Sequence, residues 1–306
     1  MSILNQLGSL FDDPAPSHVF ELSQAGIAWA VRSTRRGQPP KIGFQRFEGE
    51  VLVLSPVKDN VVQPEALARA VAGAIPANGG GRRKREAAII LPDYCTRVSV
   101  LDFESFPGEH DEQLQLVRFR LKKAVPFDLD SARVNFQAHK SGKHYEVVVA
   151  AASEEIVARY EAPFRQAGYL PGFCTTSMLA AMDLVPARDL NLAVKLCDRV
   201  LTVALCDGRH PKLVRCVELA EMTFEDVMAV LYPTLAYAED ELRRRPVKML
   251  ICGFGDATEA LREQWSVDLG IPVETMRSHW ADPGEFNTGM IGWLQAQEPA
   301  TREHKT

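Results

Sequence analysis

Lysine, cysteine, aspartate and arginine crowd into five residues of the stretch LAVKLCDRVLTVALCDG, as Lys195, Cys197, Asp198 and Arg199. They fall at a turn between two runs that read as β-strands. A cation there could neutralise a phosphate, and a carboxylate could serve a metal shell. A second hairpin of the same style lies upstream in HVFELSQAGIAWAV, turning near Ser23 to Gly26. Downstream, CGFGDA keeps Gly253 and Gly255 ahead of a helix, which suits a phosphate or adenosine edge and equally suits an ordinary strand-to-helix turn. Other constellations are missing. The seven histidines show neither i, i+4 helical pairing nor a His-Glu-x-x-His pattern, so no metal site is assigned. There is no Gly-x-Ser-x-Gly elbow and no Walker loop. Glu154-Glu155 and Glu239 with Glu241 read as helix-end or solvated charges. No catalytic residue emerges, and the chain reads as a non-enzyme.

The bulk chemistry narrows the class further. The chain has 306 residues, 46% hydrophobic and 25% charged, enough for two domains with ordinary cores. A net charge of −5 offers no global attraction to nucleic acid, and the basic run GGGRRKREA lacks the aromatics a nucleic-acid surface would interleave. Six cysteines form no Cys-x-x-Cys pair, and five of them sit in apolar strand-like runs, as free buried thiols do in a reducing compartment. No apolar run approaches the ~20 residues that span a bilayer, and no basic n-region opens the chain. A cytoplasmic location is expected.

These residues need elements to hold them. Residues 1–17 place Ile3, Leu7, Leu10 and Phe11 on one helical face before Asp12-Asp13-Pro14. From His18 a meander follows in HVFEL, GIAWAVR and IGFQRFEGEVLVL, then a helix opening at Pro64 and a strand in EAAIILP. A block of strand (TRVSVLDF), helix (HDEQLQLVRFRLKKAV) and two strands (RVNFQAHK, HYEVVVAAA) comes next. Ser153 is positioned to cap the helix after it, Gly168 to end it, and a further helix is expected near Thr175 to Val185. The order then repeats: three strands in LNLAVKLC, VLTVALC and KLVRCVEL, a long helix capped near Thr223, strand, helix, strand and closing helix. Pro233 is expected to kink the long helix. The pattern gives an N-terminal segment (1–17), a first domain (18–186) with an insert at about 94–146, and a second domain (187–283). A C-terminal helix (284–298) packing back on the first domain and a disordered tail (299–306) complete it. Each half reads as a mixed sheet with helices on its faces, and the paired hairpins point into a cleft between halves.

Duplicated halves, each opened by a hairpin, resemble the actin-like, ribonuclease-H-type α/β fold. The insert LQLVRFRLKKAVPFDLDSARVNFQ, a helix ending in Val-Pro-Phe before an acidic turn and a strand, is similar to the PilM-like family of type IV pilus machines. AAIILPDYCTRVSVLDFESFP, VVVAAASEEIVARYEAPFRQAGYLP and VKMLICGFGDATEALREQWSVDLGIPV extend the resemblance over most of the chain, from about His18 to Leu294. The cytoplasmic domain of the secretion protein GspL is a related match.

The resemblance implies a scaffold at the inner-membrane face of a pilus or secretion platform. It would bind the N-terminal cytoplasmic tail of a PilN-like single-pass protein and reach the membrane only through that partner. Phe119, Val125, Pro126 and Phe127 would offer pockets to the tail, and Lys122 and Lys123 charge; Phe119 and Phe127 are alternatively core residues of the insert. The resemblance also locates a nucleotide site. ATP-binding members carry Asp-x-Gly and small hydroxyl residues at both hairpins, where this chain has Glu21, Leu22, Ser23 and Gln24, then Lys195, Cys197, Asp198 and Arg199. Ala28 stands where lysine is common. Ser23, Gln24, Lys195, Asp198, Arg199, Gly253 and Gly255 are thus assigned to a degenerate site, for which no cofactor is expected; the alternative is an intact cleft binding ATP and Mg.

Overall fold

The computed structural model describes residues 15–33, 38–75 and 85–297. The apolar stripe from Ile3 to Phe11, the arginine-lysine run at 82–84 and the tail at 299–306 lie outside the described residues.

Alternation along the strands builds two five-stranded sheets. In the first half, β1 (His18–Leu22), β2 (Gly26–Val31), β3 (Lys41–Arg46), β4 (Arg85–Leu91) and β8 (Tyr169–Thr176) lie in the order β3-β2-β1-β4-β8. In the second half, β9 (Leu190–Cys197), β10 (Val200–Asp207), β11 (His210–Glu218), β12 (Lys248–Cys252) and β13 (Val273–Thr275) lie in the order β11-β10-β9-β12-β13. The two orders are the same once the insert is set aside. In both, the opening hairpin is antiparallel and the later strands add in parallel. Helix α1 (Pro64–Ala74) opens on Pro64, whose missing N–H costs nothing at a helix start.

The insert is its own layer: β5 (Arg97–Phe103), α2 (His110–Leu121), β6 (Ala132–Ser141) and β7 (His144–Ser153), with strand order β5-β7-β6 around a small apolar core. The boundary expected at about 146 falls inside β7. A Lys212–Glu146 ion pair of 2.5 Å and the His139 and His210 rings, stacked at 4.5 Å, join the insert to the second domain.

Helices α3 (Glu154–Gln166), α4 (Ser177–Ala181), α5 (Phe224–Asp240), α6 (Thr258–Leu269) and α7 (Thr288–Ala296) complete the chain. The outer face of the first sheet buries Phe20, Leu22, Ile27 and Ile89 against α1 and α3. The outer face of the second buries Leu192, Val194, Leu201 and Val203 against α5 and α6. Between the sheets, small residues such as Ala28, Ala30, Ala193 and Ala204 make room for α4 and α7. A Cβ on Gly292 of α7 would stand 2.3 Å from the Ala180 carbonyl oxygen, so glycine permits the close crossing of these two helices.

Three local expectations are corrected. Residues 169–176 form the edge strand β8, so the helix begins at Ser177 rather than near Thr175; parallel pairing with β4 decides this. Ser153 occupies the N-cap of α3 without a side-chain cap bond, because β7 runs straight into the helix and the Glu154 N–H reaches the Ser131 carbonyl at 3.1 Å. The strand expected to extend from Ile42 to Leu54 ends at Arg46, where the chain turns through Gly49 at φ +89°. Helix α5 runs through Pro233 from a full Thr223–Asp226 capping box.

Candidate functional site

Strand parity aims the central side chains. In β9, Leu192 and Val194 face outward into the second core, which turns Ala193 and Lys195 toward the layer between the sheets. In β1, Phe20 and Leu22 face outward and Glu21 turns inward. In β10, Thr202 turns inward between Leu201 and Val203. The two halves thus deliver Glu21 from one side and Lys195 with Thr202 from the other.

They meet in a buried polar cluster. The Lys195 Nζ lies 2.9 Å from Asp93 Oδ2 and donates to Ser177 Oγ at 2.8 Å. Asp93 also accepts from the Met178 N–H at 2.7 Å and from Thr202 Oγ1 at 3.0 Å. The Ser177 hydroxyl in turn donates to Glu21 Oε1, and Glu21 accepts the Gly289 and Met290 N–H groups at 3.2 and 2.7 Å. Glu21 therefore caps the positive end of α7 from across the layer. All five side chains are at most 6% exposed.

Burial alone would lower the Lys195 pKa, but the carboxylates of Asp93 and Glu21 outweigh it and hold the ammonium charged. Glu21 goes the other way. Burial raises its pKa against the pull of Lys195, Ser177 and the two α7 amides. One cation and one directly paired carboxylate leave the second carboxyl to neutral donors. The cavity beside Asp93, Thr96, Arg97 and Thr202 holds about 90 Å³, whereas one between Ala28, Ile42 and Phe44 of the first half and Glu285 and Phe286 holds about 370 Å³, within the range of small-molecule pockets.

The hairpin tips close on one another. The Gln24 N–H donates to Asp198 Oδ2 at 2.9 Å, and the Asp198 N–H donates to Glu285 Oε1 at 3.0 Å. Burial raises the pKa of both carboxyls. Ser23 spends its hydroxyl on its own turn, donating to the Gly26 carbonyl at 3.1 Å. Arg199 swings away and donates to the Leu219 carbonyl at 2.8 Å and to that of Ala220. Gly253, at φ +88°, lies where a Cβ would come within 1.8 Å of the Leu196 carbonyl oxygen, so its glycine serves packing against β9. Gly255, at φ +54°, accepts from Thr258 Oγ1 at 2.7 Å. Of the seven residues assigned to a degenerate nucleotide site, Gln24 and Asp198 touch, and Lys195 is bound into the cluster. Among the described residues no three His, Cys, Asp or Glu side chains gather as a metal site.

Asp93, Ser177 and Thr202 escaped the sequence reading. Thr202 and Lys195 lie on the inward parity of adjacent strands, a signal present in the alternation. Asp93 and Ser177 sit just past the ends of β4 and β8, where no periodicity speaks.

A small groove of about 50 Å³ lies between the insert and the first domain. Asn135, Ala150 and Ala152 line one wall, and Cys174, Thr175 and Thr176 the other. It is bordered by β6 and β8, the edge strands of their sheets. None of the six residues expected to hold a partner tail lines it. Val125 and Phe127 pack into the insert core, Pro126, Lys122 and Lys123 are exposed, and Phe119 is 75% exposed and so no core residue.

No family model and no curated protein matches the chain. Solved structures do. A chain of the PilM–PilN type IV pilus biogenesis complex is similar over 94% of this chain and all of that one, at 18% identity and a TM-score of 0.70. A Bacteroides thetaiotaomicron protein with an actin-like ATPase fold and unknown function covers 93% and 97%, at 11% identity and a TM-score of 0.56. The cytoplasmic domain of EpsL, an inner-membrane component of the Vibrio cholerae type II secretion system, covers 91% and 93%, at 11% identity and 0.50. The fold is actin-like, and its likeness to PilM runs nearly end to end.

Proposed function

We propose that this protein is a non-enzymatic, actin-like scaffold on the cytoplasmic face of a type IV pilus or related secretion platform, docking the N-terminal tail of a PilN-like membrane protein. The observation that carries this reading is the fold, PilM-like over 94% of the chain, with two strand edges, β6 and β8, bordering a small pocket of about 50 Å³ between insert and first domain. Edge strands offer unpaired backbone groups, and an extended peptide adds to them as a further strand. Scaffolding of this kind needs no turnover. The interdomain layer is in keeping with a role without nucleotide, because Lys195 and Asp93 pair directly and Glu21 joins them through Ser177. Among the described residues no helix is long and apolar enough to cross a membrane, in keeping with attachment through a partner.

Calorimetric titration of the full chain with synthetic N-terminal tails of PilN-like proteins tests the reading. Binding is expected for the wild type, is lost in Ala150→Arg, which fills the groove, and is indifferent to ATP and Mg. Phe127→Asp should weaken it indirectly by loosening the insert core. No binding by the intact chain to any such tail removes the scaffold reading. Micromolar ATP binding, abolished by Lys195→Ala or Gly253→Val, replaces it with a nucleotide-gated actin relative.

A further inference from the structure

The cavity of about 370 Å³ between the halves is used by neither the buried cluster nor the groove. Strand parity turns Ala28 of β2 and Ile42 and Phe44 of β3 toward it. Across from them stand Glu285 and Phe286, on the loop that enters α7. The Phe44 and Phe286 rings stack with centroids 5.4 Å apart. Gly26 leaves Phe44 its place, since a Cβ there would stand 2.8 Å from the ring. The amide oxygen of neighbouring Asn287 is spent on the Gly284 N–H at 2.6 Å, so Glu285 is the one ionisable side chain on an otherwise apolar and aromatic lining.

Charge around the cavity is uneven. Neither β2 nor α7 carries an ionisable side chain. On β3, Lys41 takes the opposite parity, while Arg46 shares the parity of Phe44 and holds its guanidinium 5.9 Å from that ring. Against this one cation stand Glu285 and Asp198, joined where the Asp198 N–H donates to Glu285 Oε1 at 3.0 Å, and exposed Asp282 precedes Glu285 on the loop. Lys195 is not their direct partner, because Asp93 holds its ammonium at 2.9 Å. Burial raises the pKa of Glu285 and of Asp198, outweighing the pull of Arg46 on the one and of Lys195 on the other. The region is short of positive charge.

We infer that this cavity binds a small organic cation with an apolar body, such as a quaternary or aryl ammonium. The negative faces of Phe44 and Phe286 attract a cation, Glu285 neutralises it, and Ala28 and Ile42 cover its body. An anion such as a triphosphate would instead meet two carboxylates. The cavity shares no lining residue with the groove, so the inference does not rest on tail binding.

Ligand-detected NMR titration of the full chain with benzyltrimethylammonium tests it, with phenylacetate as the anionic counterpart. Binding is expected for the ammonium alone, strengthening with pH as Glu285 loses its proton. Glu285→Gln should weaken it about tenfold and Phe286→Ala about fivefold. Arg46→Gln removes a competing cation and should strengthen it about threefold. Arg46 is exposed, so far-UV circular dichroism of that variant should stay unchanged. Ala150→Arg should abolish tail binding and leave ammonium binding intact, which separates failure here from failure of the scaffold reading. No binding of the ammonium, equal binding of phenylacetate, or unchanged or weaker binding in Arg46→Gln overturns the inference. Displacement of the ammonium by ATP and Mg makes the cavity a nucleotide cleft instead, and overturns it too.

Discussion

The first and second halves open on the same hairpin and place opposite charges at matching points. Glu21 lies beside Ile90 at the end of parallel β4, and Lys195 lies beside Cys252 at the end of parallel β12. Both point into the layer between the sheets, and both are fully buried. Two acidic residues there would repel one another and need a cation between them. One acid and one base instead satisfy each other through Ser177 and Asp93. In this chain the layer between the sheets is therefore tied by an acid from one half and a base from the other.

The comparison breaks most visibly at Lys195. Lys195→Met leaves Asp93 with a buried charge and no direct counter-ion, and should cost about 3–5 kcal/mol, read by urea denaturation. Adding Asp93→Asn should recover part of that loss. A double variant no more stable than the single would mean the pair is not the coupling.

The other half of the comparison is tested by pH. Glu21 has a raised folded pKa, so the native state holds its proton longer than the unfolded chain. Its contribution is full below the unfolded value of about 4.3 and is lost as pH rises through the folded pKa. The stability difference between wild type and Glu21→Gln should therefore shrink from about pH 4 upward. A difference that grows with pH would show Glu21 to be a conventional ion-pair carboxylate. Lys195, also raised, contributes fully below its unfolded value of about 10.4 and loses that contribution only at more alkaline pH.

Smaller effects separate the tips and the caps. Asp198→Asn keeps a residue tolerant of φ +53° but weakens the bond from Gln24, at about 1 kcal/mol. It should also speed alkylation of Cys197, whose thiol pKa burial pushes well up; an unchanged rate would mean the tips do not shield it. Thr223→Ala should cost about 1 kcal/mol by removing the capping box of α5, whereas Ser153→Ala should stay within about 0.5 kcal/mol. Equal losses at the two positions would contradict the difference in their caps.

Much of the fold was legible because its signals are local. Two runs of alternating strands, turns such as Asp207-Gly208, and Pro64 or Thr223 at helix starts each follow from the chemistry of a few neighbouring residues, and their repetition announced the duplication. Strand β8 was obscured because Leu170, Pro171 and Gly172 interrupt its apolar alternation, and only pairing with β4 makes it a strand. The groove was hidden for a similar reason. Its walls come from residues about twenty to forty positions apart in sequence, each unremarkable alone.

By itself the sequence determined that two similar halves exist, that Glu21 and Lys195 stand near their hairpins, and that no familiar catalytic set is present. Only tertiary structure decided what those replacements do. A buried charge is defined by its partners, and the partners of Lys195 arrive from the turn after β4 and the start of α4 through long-range packing that no local pattern encodes.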